Sequence, residues 1–454
     1  MKINHYNTYP YGGAANAARR IHNGIVNQGI DSAFYYHIDD RNLSDTTSDP
    51  SLVQLRYRQQ ELDKETRFSL WNPLHKRIEK RRTREVHRLY DLHIRPRTNS
   101  EHEVYSMARL PQKTSLNWTQ QQSDIVHLHW LAHMIDFPSF FDSIPDQVPI
   151  VWTMHDMGAF TGGCHYSDGC TRFGAGCGSC PQVANSIPKD VSRDSMLAKQ
   201  KSLRGKRLHI VAPSMWLIEL AKRSPIWPAG TTFSVIHYGL DLTQFQPQNR
   251  DVARQKMELK TDKVLIGFGA DDLRNRRKGF DYLASALSLL AKNPTVRSRI
   301  ELVVFGDGEI SDELRGQFKT HSFGFVRDLD RLSAIYACCD MVVVPSLQDN
   351  QPQVGLEAMA CGRPVIGFDA GGIPEYVVDC VSGYLVPARD TAGLASAIEK
   401  MAAPPQAVGR FGEQARQKME KEFEINAQTL AYTELYSSLI DDIDSSRVKA
   451  RIAS

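Results

Sequence analysis

The sequence predicts an α/β protein made of two Rossmann-like domains with mostly parallel sheets. Three observations carry this expectation. Short β-branched or aromatic runs alternate with helical patterns, the alternation restarts after residue 260, and the stretch between the two series, "HYGLDLTQFQPQN", is rich in turn residues. At 454 residues the chain is long enough for two or three domains.

The elements follow in order. "KINHY" reads as a strand and "YPYGG" as a turn. "AANAARRIHNGIVNQG" then reads as a helix, with Ala14, Ala18, Ile21 and Ile25 on one face and Gly29 as its stop. "SAFYYH", "DIVHLHW", "PIVWTMHD", "LHIVAPS" and "TTFSVIHYG" complete the first series. "VLIGFGA", "IELVVFGDG", "SFGFV", "DMVVVPS" and "PVIGFD" form the second. Residues 40 to about 122 carry little strand signal. Within them "KRIEKRRTREVHR" (76–88) holds seven Lys/Arg against two Glu. That is either a solvated helix face or a patch for anionic lipid head groups or a diphosphate-linked acceptor. The tail, from about Phe411 to Ile443, is helical by pattern, through Phe411, Ala415, Met419, Ala427, Leu430, Ala431, Leu435 and Leu439.

Composition sets outer bounds. With 41% hydrophobic and 24% charged residues the chain reads as a soluble globular enzyme. A net charge of +3 is too small to argue for nucleic acid. The N-terminus lacks an apolar signal core, and no stretch approaches the roughly 18–20 apolar residues of a membrane span, so the expected compartment is the cytoplasm.

"SLQDNQPQVGLEAMACGRPV" (346–365) places Asp349 and Glu357 on either side of a helix start. Asn350 or Gln351 is expected to precede the first turn, and Pro352 suits that turn because it lacks an N–H. The amides around Gln353, Val354 and Gly355 would then face an anion at the positive end of the helix, and phosphate is the natural guest. An ionised carboxylate is a pure acceptor and binds sugar hydroxyls well. Ribose, diphosphate and hexose fit in that order: a nucleotide-sugar.

These residues resemble the acid–seven residues–acid motif of retaining glycosyltransferases of family 4, which have the GT-B fold, with two Rossmann-like domains facing a central cleft. "LEAMACGRPVIGFDAGGIPEYV", "VVFGDGE" with Gly306, and "HYGLDLTQFQP" are similar too, most strongly over 231–390. The resemblance implies that Asp349 contacts the donor sugar, where Glu is commoner, and that Glu357 contacts the ribose. It implies that "YGGAANA" (Gly12, Gly13) is the N-terminal glycine loop and that His155 of "TMHDM" touches the donor sugar. A histidine satisfied at a strand end is the plain alternative. In "GADDLRNRRKGF" it implies that Lys278 and an arginine neutralise the leaving diphosphate. The family's arginine position holds Ala270 here, so Arg274 is the candidate, with Arg276 and Arg277 as rivals. "SFGFV" matches the base-contacting segment, through Phe325 and Val326.

The cysteine loop "GGCHYSDGCTRFGAGCGSCPQ" has the spacing C-x5-C-x6-C-x2-C. Cys164, Cys170, Cys177 and Cys180 suit a structural zinc site with His165 as a spare ligand; reduced cysteines in a packed loop, or disulfide or redox chemistry, are the alternatives.

The expected organisation is residues 1–235 as an acceptor-side domain (with the basic insertion at about 40–122 and the cysteine loop at 162–181), 236–415 as a nucleotide-sugar domain, and 416–454 as helices packing back toward the first. The expected function is retaining transfer of a sugar from a nucleotide-diphospho-sugar to a saccharide or lipid-linked saccharide. No cofactor is expected for catalysis, and the inner membrane face is a fitting location. The alternatives are a non-catalytic nucleotide-sugar-binding scaffold and a nucleotide-sugar epimerase.

Overall fold

The computed structural model describes residues 1–37, 52–54, 72–97, 104–403 and 405–452. Much of the 40–122 insertion therefore lies outside the described residues. The chain divides into two compact units. The first comprises Met1–Pro213, Leu217–Ile236 and Thr429–Ser454; the second comprises Ser214–Trp216 and His237–Gln428.

The first unit is built on a seven-stranded sheet in the order β3-β2-β1-β4-β5-β6-β7. The strands are β1 (Lys2–Asn7), β2 (Asp31–Tyr36), β3 (Leu52–Gln54), β4 (Ile125–Leu128), β5 (Pro149–Thr153), β6 (Arg207–Ala212) and β7 (Thr232–Val235). Every pairing is parallel. The helix Gly13–Asn27 covers the sheet with Ala15, Ala17, Ala18, Ile21 and Ile25 buried, and the chain turns out of it through Gly29 at φ 77°.

The last helix, Ile425–Ile452, crosses from the second unit into the first at residue 429. It buries Tyr432 and Tyr436 with Ile3, Ile21, Ile125, Val151 and Val211. The expected apolar stripe is shifted here, because Leu430 is exposed and the tyrosines take the inward face. Both hydroxyls find partners that a leucine could not offer: Tyr432 Oη pairs with Thr153 Oγ1 at 2.8 Å, and Tyr436 Oη with His127 Nδ1 at 2.6 Å.

The second unit holds a six-stranded sheet in the order β10-β9-β8-β11-β12-β13. Its strands are β8 (Val264–Asp272), β9 (Ile300–Asp307), β10 (Thr320–Ser322), β11 (Met341–Val344), β12 (Val365–Asp369) and β13 (Gly383–Pro387), all parallel. Near-continuous runs such as Met341–Val344 are buried throughout, as strands covered on both faces must be. The helix Pro405–Glu422 stays with this unit, which moves the crossing beyond the expected residue 415/416. Arg416 holds it there, with Nη1 donating to the carbonyls of Ala360 and Phe245 at 2.8 Å.

Both sheets reverse strand order once, between β1 and β4 and between β8 and β11. In open parallel sheets ligands bind outside the carboxyl ends of strands at that reversal. Among the described residues no helix is long and apolar enough to cross a membrane.

The basic segment is helical, within Asn72–His93. Arg82 docks it by pairing with Asp136, and Lys113 pairs with Glu79 at 2.9 Å. The Arg88–Glu85 pair on the same helix is solvent-exposed.

Candidate functional site

In the second unit the chain leaves β8 at Asp272 and reaches Lys278 through a single helical turn, Arg276–Lys278, capped by Gly279 at φ 77°. It leaves β11 at Val344 and reaches Asp349 five residues on. These are the two strands at the reversal. Lys278 Nζ lies 2.8 Å and Arg277 Nη1 2.9 Å from the same oxygen of Asp349, Oδ2. Arg277 Nη1 also donates to Gln348 O at 3.0 Å. Burial alone would raise the Asp349 carboxyl, but Lys278 and Arg277 pull it down to about 2.

Arg274, the expected partner of Lys278, is placed elsewhere. Its guanidinium forks onto Asp272 at 2.8–2.9 Å with 70% of the side chain exposed, whereas Arg277 is 13% exposed. An acid two residues upstream captures the first arginine, and the helical turn delivers the later one.

The helix Gln353–Ala360 begins directly after Pro352, which is its N-cap, one or two residues later than expected. Asn350 and Gln351 are used otherwise. Asn350 Oδ1 accepts from Ser214 Oγ, and Gln351 Oε1 accepts from the Tyr238 amide at 2.9 Å. The cap has no side-chain hydrogen bond, and Gln353 and Val354 open the first turn. Glu357 is buried a turn later, where Tyr336 Oη donates to its Oε2 at 2.9 Å.

The turn 370–372 supports Asp349 from below. Gly372 N donates to Asp349 O at 3.0 Å, and a Cβ on Gly371, itself at φ 61°, would sit 2.0 Å from that oxygen. Gly371→Ala is therefore expected to displace Asp349 and to weaken binding of a nucleotide-sugar at least tenfold, read by calorimetry. Unchanged affinity would show that Asp349 does not hold the ligand. Gly306, next to last in β9, has φ 128° with a would-be Cβ 1.8 Å from Ala270 O, so it serves the close approach of β8 and β9. Val326 follows the turn at Gly324 (φ 62°), and Phe325 is 48% exposed.

The remaining expected residues lie in the first unit. Gly12, at φ 93°, precedes the helix Gly13–Asn27, and a Cβ there would meet open space. His155 follows β5 and lines a cavity with Trp130, Asp156, His165 and Lys199. Trp130 Nε1 donates to Asp156 Oδ2 at 2.7 Å, and His165 Nδ1 pairs with the same oxygen at 2.6 Å. His165 Nε2 meets Ser106 Oγ at 2.7 Å, so both of its nitrogens are engaged and it is not a spare metal ligand.

Behind His155 runs a buried histidine chain. His129 Nδ1 meets His155 Nε2 at 3.3 Å, and His5 Nδ1 meets His129 Nε2 at 3.0 Å. His5, His127 and His129 bring ligand atoms within 4.8 Å of one another. Hydrogen bonds already occupy them, however, since His127 pairs with Thr153 and Tyr436 through its two nitrogens. The one orphan is His5 Nε2. Burial lowers His155 to about 4 and keeps it neutral.

The cysteine loop joins this cavity through His165. All eight cysteines are outside disulfides. Cys164, Cys170, Cys177 and Cys180 line one small cavity. Burial pushes the Cys164 thiol up to about 12 and Cys177 up to about 11.

Fold and site together define a GT-B architecture. The chain superposes over 97% of its length on sucrose-phosphate synthase from Thermosynechococcus elongatus, covering 100% of that chain (TM-score 0.64, 19% identity). It superposes over 96% of its length on HepE of Anabaena, again covering all of that chain (TM-score 0.59, 16% identity). Residues 263–403 match the family described as glycosyl transferases group 1, and this stretch contains Lys278, Asp349 and Glu357. Sequence relatives include D-inositol 3-phosphate glycosyltransferase 2 of Catenulispora acidiphila, 28% identical over 48% of this chain and 53% of that protein. Another is D-inositol 3-phosphate glycosyltransferase of Mycolicibacterium smegmatis, 34% identical over 37% of this chain and 39% of that protein. The chain spans about half or less of the length of these curated relatives.

Proposed function

We propose that the chain is a retaining glycosyltransferase that moves a sugar from a nucleotide-diphospho-sugar to a hydroxyl of a saccharide or lipid-linked saccharide. The observation that carries this reading is the Asp349 carboxylate, held by Lys278 and Arg277 just before the start of the helix Gln353–Ala360, with Glu357 a turn in. Cations beside a helix N-terminus suit a diphosphate, and carboxylates beside them suit hydroxyls. Lys278 and Arg277 supply the positive charge that a leaving phosphate requires, so catalysis needs no divalent ion. The relatives named for D-inositol 3-phosphate add a phosphorylated polyol as a second acceptor to test.

The test is release of nucleoside diphosphate from a panel of nucleotide-sugars in the presence of EDTA, with and without saccharide, lipid-linked saccharide and inositol phosphate acceptors. Acceptor-stimulated release with the product anomer matching the donor is expected. Interconversion of the free nucleotide-sugar without transfer would instead indicate an epimerase. A thermal shift with no turnover on any acceptor would indicate a binding scaffold; ligand at a hundredfold excess over Kd adds about 2.7 kcal/mol of stability.

A further inference from the structure

The loop from Gly162 to Pro181 has little regular structure, only the short turn Arg172–Ala175. Its backbone is contorted: besides glycines, Asp168, Cys177 and Ser179 all have positive φ, at 47°, 60° and 47°. Such conformations cost on the order of 1–3 kcal/mol each and persist only where something over-determines them. What they achieve is to turn four thiols into one cavity, lined by Cys164, Cys170, Cys177 and Cys180 with Arg172 and Phe173 beside them. The Gly162 amide donates to Cys177 Sγ at 3.2 Å, which favours a sulfur bearing negative charge.

A second observation is independent of the loop. Lys199, on the helix Val191–Ser202, is 1% exposed. Its Nζ donates to the carbonyls of Gly158 and Thr161, and among the described residues it has no ion-pair partner. Its electrostatic neighbours are Cys177, Cys164 and Asp156. Burial lowers this amine to about 8, so its charged form gains from negative charge on the nearby sulfurs as well as on Asp156.

We propose that Cys164, Cys170, Cys177 and Cys180 bind one zinc ion that ties the 162–181 loop together from within. Each thiol gives up its proton to become a ligand, at roughly 2.3 Å from the metal. Four thiolates around a dication leave the site net negative, and Lys199 and Arg172 flank it. Among the described residues only the histidine trio already has its ligand atoms within 4.8 Å of one another, so the thiols close inward on binding. The ion would also fix His165, next to Cys164, and through it the Asp156 carboxylate on the wall of the His155 cavity.

The experiment is elemental analysis of full-length protein purified without added zinc, together with thiol alkylation read by mass spectrometry. About one zinc per chain is expected, with these four thiols shielded until a strong chelator is added. The apo protein should take up one equivalent of Zn²⁺ in competition with a chromogenic chelator. Lys199→Met removes no ligand and should weaken zinc binding at least tenfold, and Cys177→Ser should abolish stoichiometric binding. Zinc far below one per chain, with no uptake on titration, overturns the proposal, whether the thiols then prove freely alkylated or oxidised in pairs. Because the wild-type measurement stands alone, a variant that fails to fold does not blur the result.

Discussion

Lys278→Ala and Arg277→Ala are each expected to lower kcat on the order of 10²-fold or more, while Arg274→Ala leaves it within about threefold. The geometry separates the three residues. Lys278 and Arg277 converge on one oxygen of Asp349, at the carboxyl ends of the strands that flank the order reversal. Arg274 forks onto Asp272 in solvent. In the proposed reaction, negative charge grows on the departing phosphate, and cations already fixed nearby stabilise it without reorganising. An arginine with 70% of its side chain in solvent is screened by water and supplies little of that. Steady-state kinetics on the three variants, with the nucleotide-sugar that gives turnover, checks the ordering. If Arg274→Ala proved the damaging substitution and Arg277→Ala the silent one, the loop would have to rearrange on binding, and Asp349 would not mark where the phosphate sits.

The same segment shows how far the sequence alone reaches. The two acids were legible because their spacing is fixed by a helix start, which is local. The choice among three arginines was not, because "RNRRK" offers no periodicity and the answer depends on which one a single helical turn carries across to the neighbouring strand. The signal that could have decided it is Asp272, close enough to capture Arg274. Buried parallel strands such as Val264–Asp272 and Met341–Val344 announce themselves as apolar runs, and most of both sheets could be read from them. The strand Leu52–Gln54 is too short to do so, and Gly383–Pro387 is bounded by residues that signal turns. In "SFGFV" only Ser322 belongs to a strand, since the chain turns at Gly324. In the tail, Leu435 and Leu439 do pack on the first unit's core, but the fully buried Tyr432 and Tyr436 beside them escaped because the pattern was anchored on leucine. What places those tyrosines is a hydroxyl partner far away in sequence, Thr153 or His127. The histidine chain was missed for the same reason: His5 lies in β1, His129 directly follows β4 and His155 follows β5, and only parallel pairing of those strands brings them together.

That chain sets the largest expected effect on stability, which is acid unfolding of the first unit at a pH where most enzymes are secure. Burial lowers His5, His127 and His129 well below their ordinary 6.5, and His155 to about 4. Their mutual repulsion when charged adds to the shift at His5 and His129. Unfolding releases all four to titrate normally, so the unfolded chain binds more protons than the folded one below pH 6.5. Stability is therefore full above about 6.5 and falls as the pH drops toward 4. Each ring that stays neutral in the fold while it is protonated in the unfolded chain adds to that fall, at about 1.4 kcal/mol per pH unit. Trp130, Trp152 and Trp227 all lie in the first unit and report on it by fluorescence. Thermal melts followed by tryptophan emission should show Tm dropping steeply between pH 6.5 and 5, and should change little between pH 8 and 7. A Tm that stays level down to pH 5 would mean that these rings are protonated in the folded state, and the neutral His5–His129–His155 chain would be lost with that.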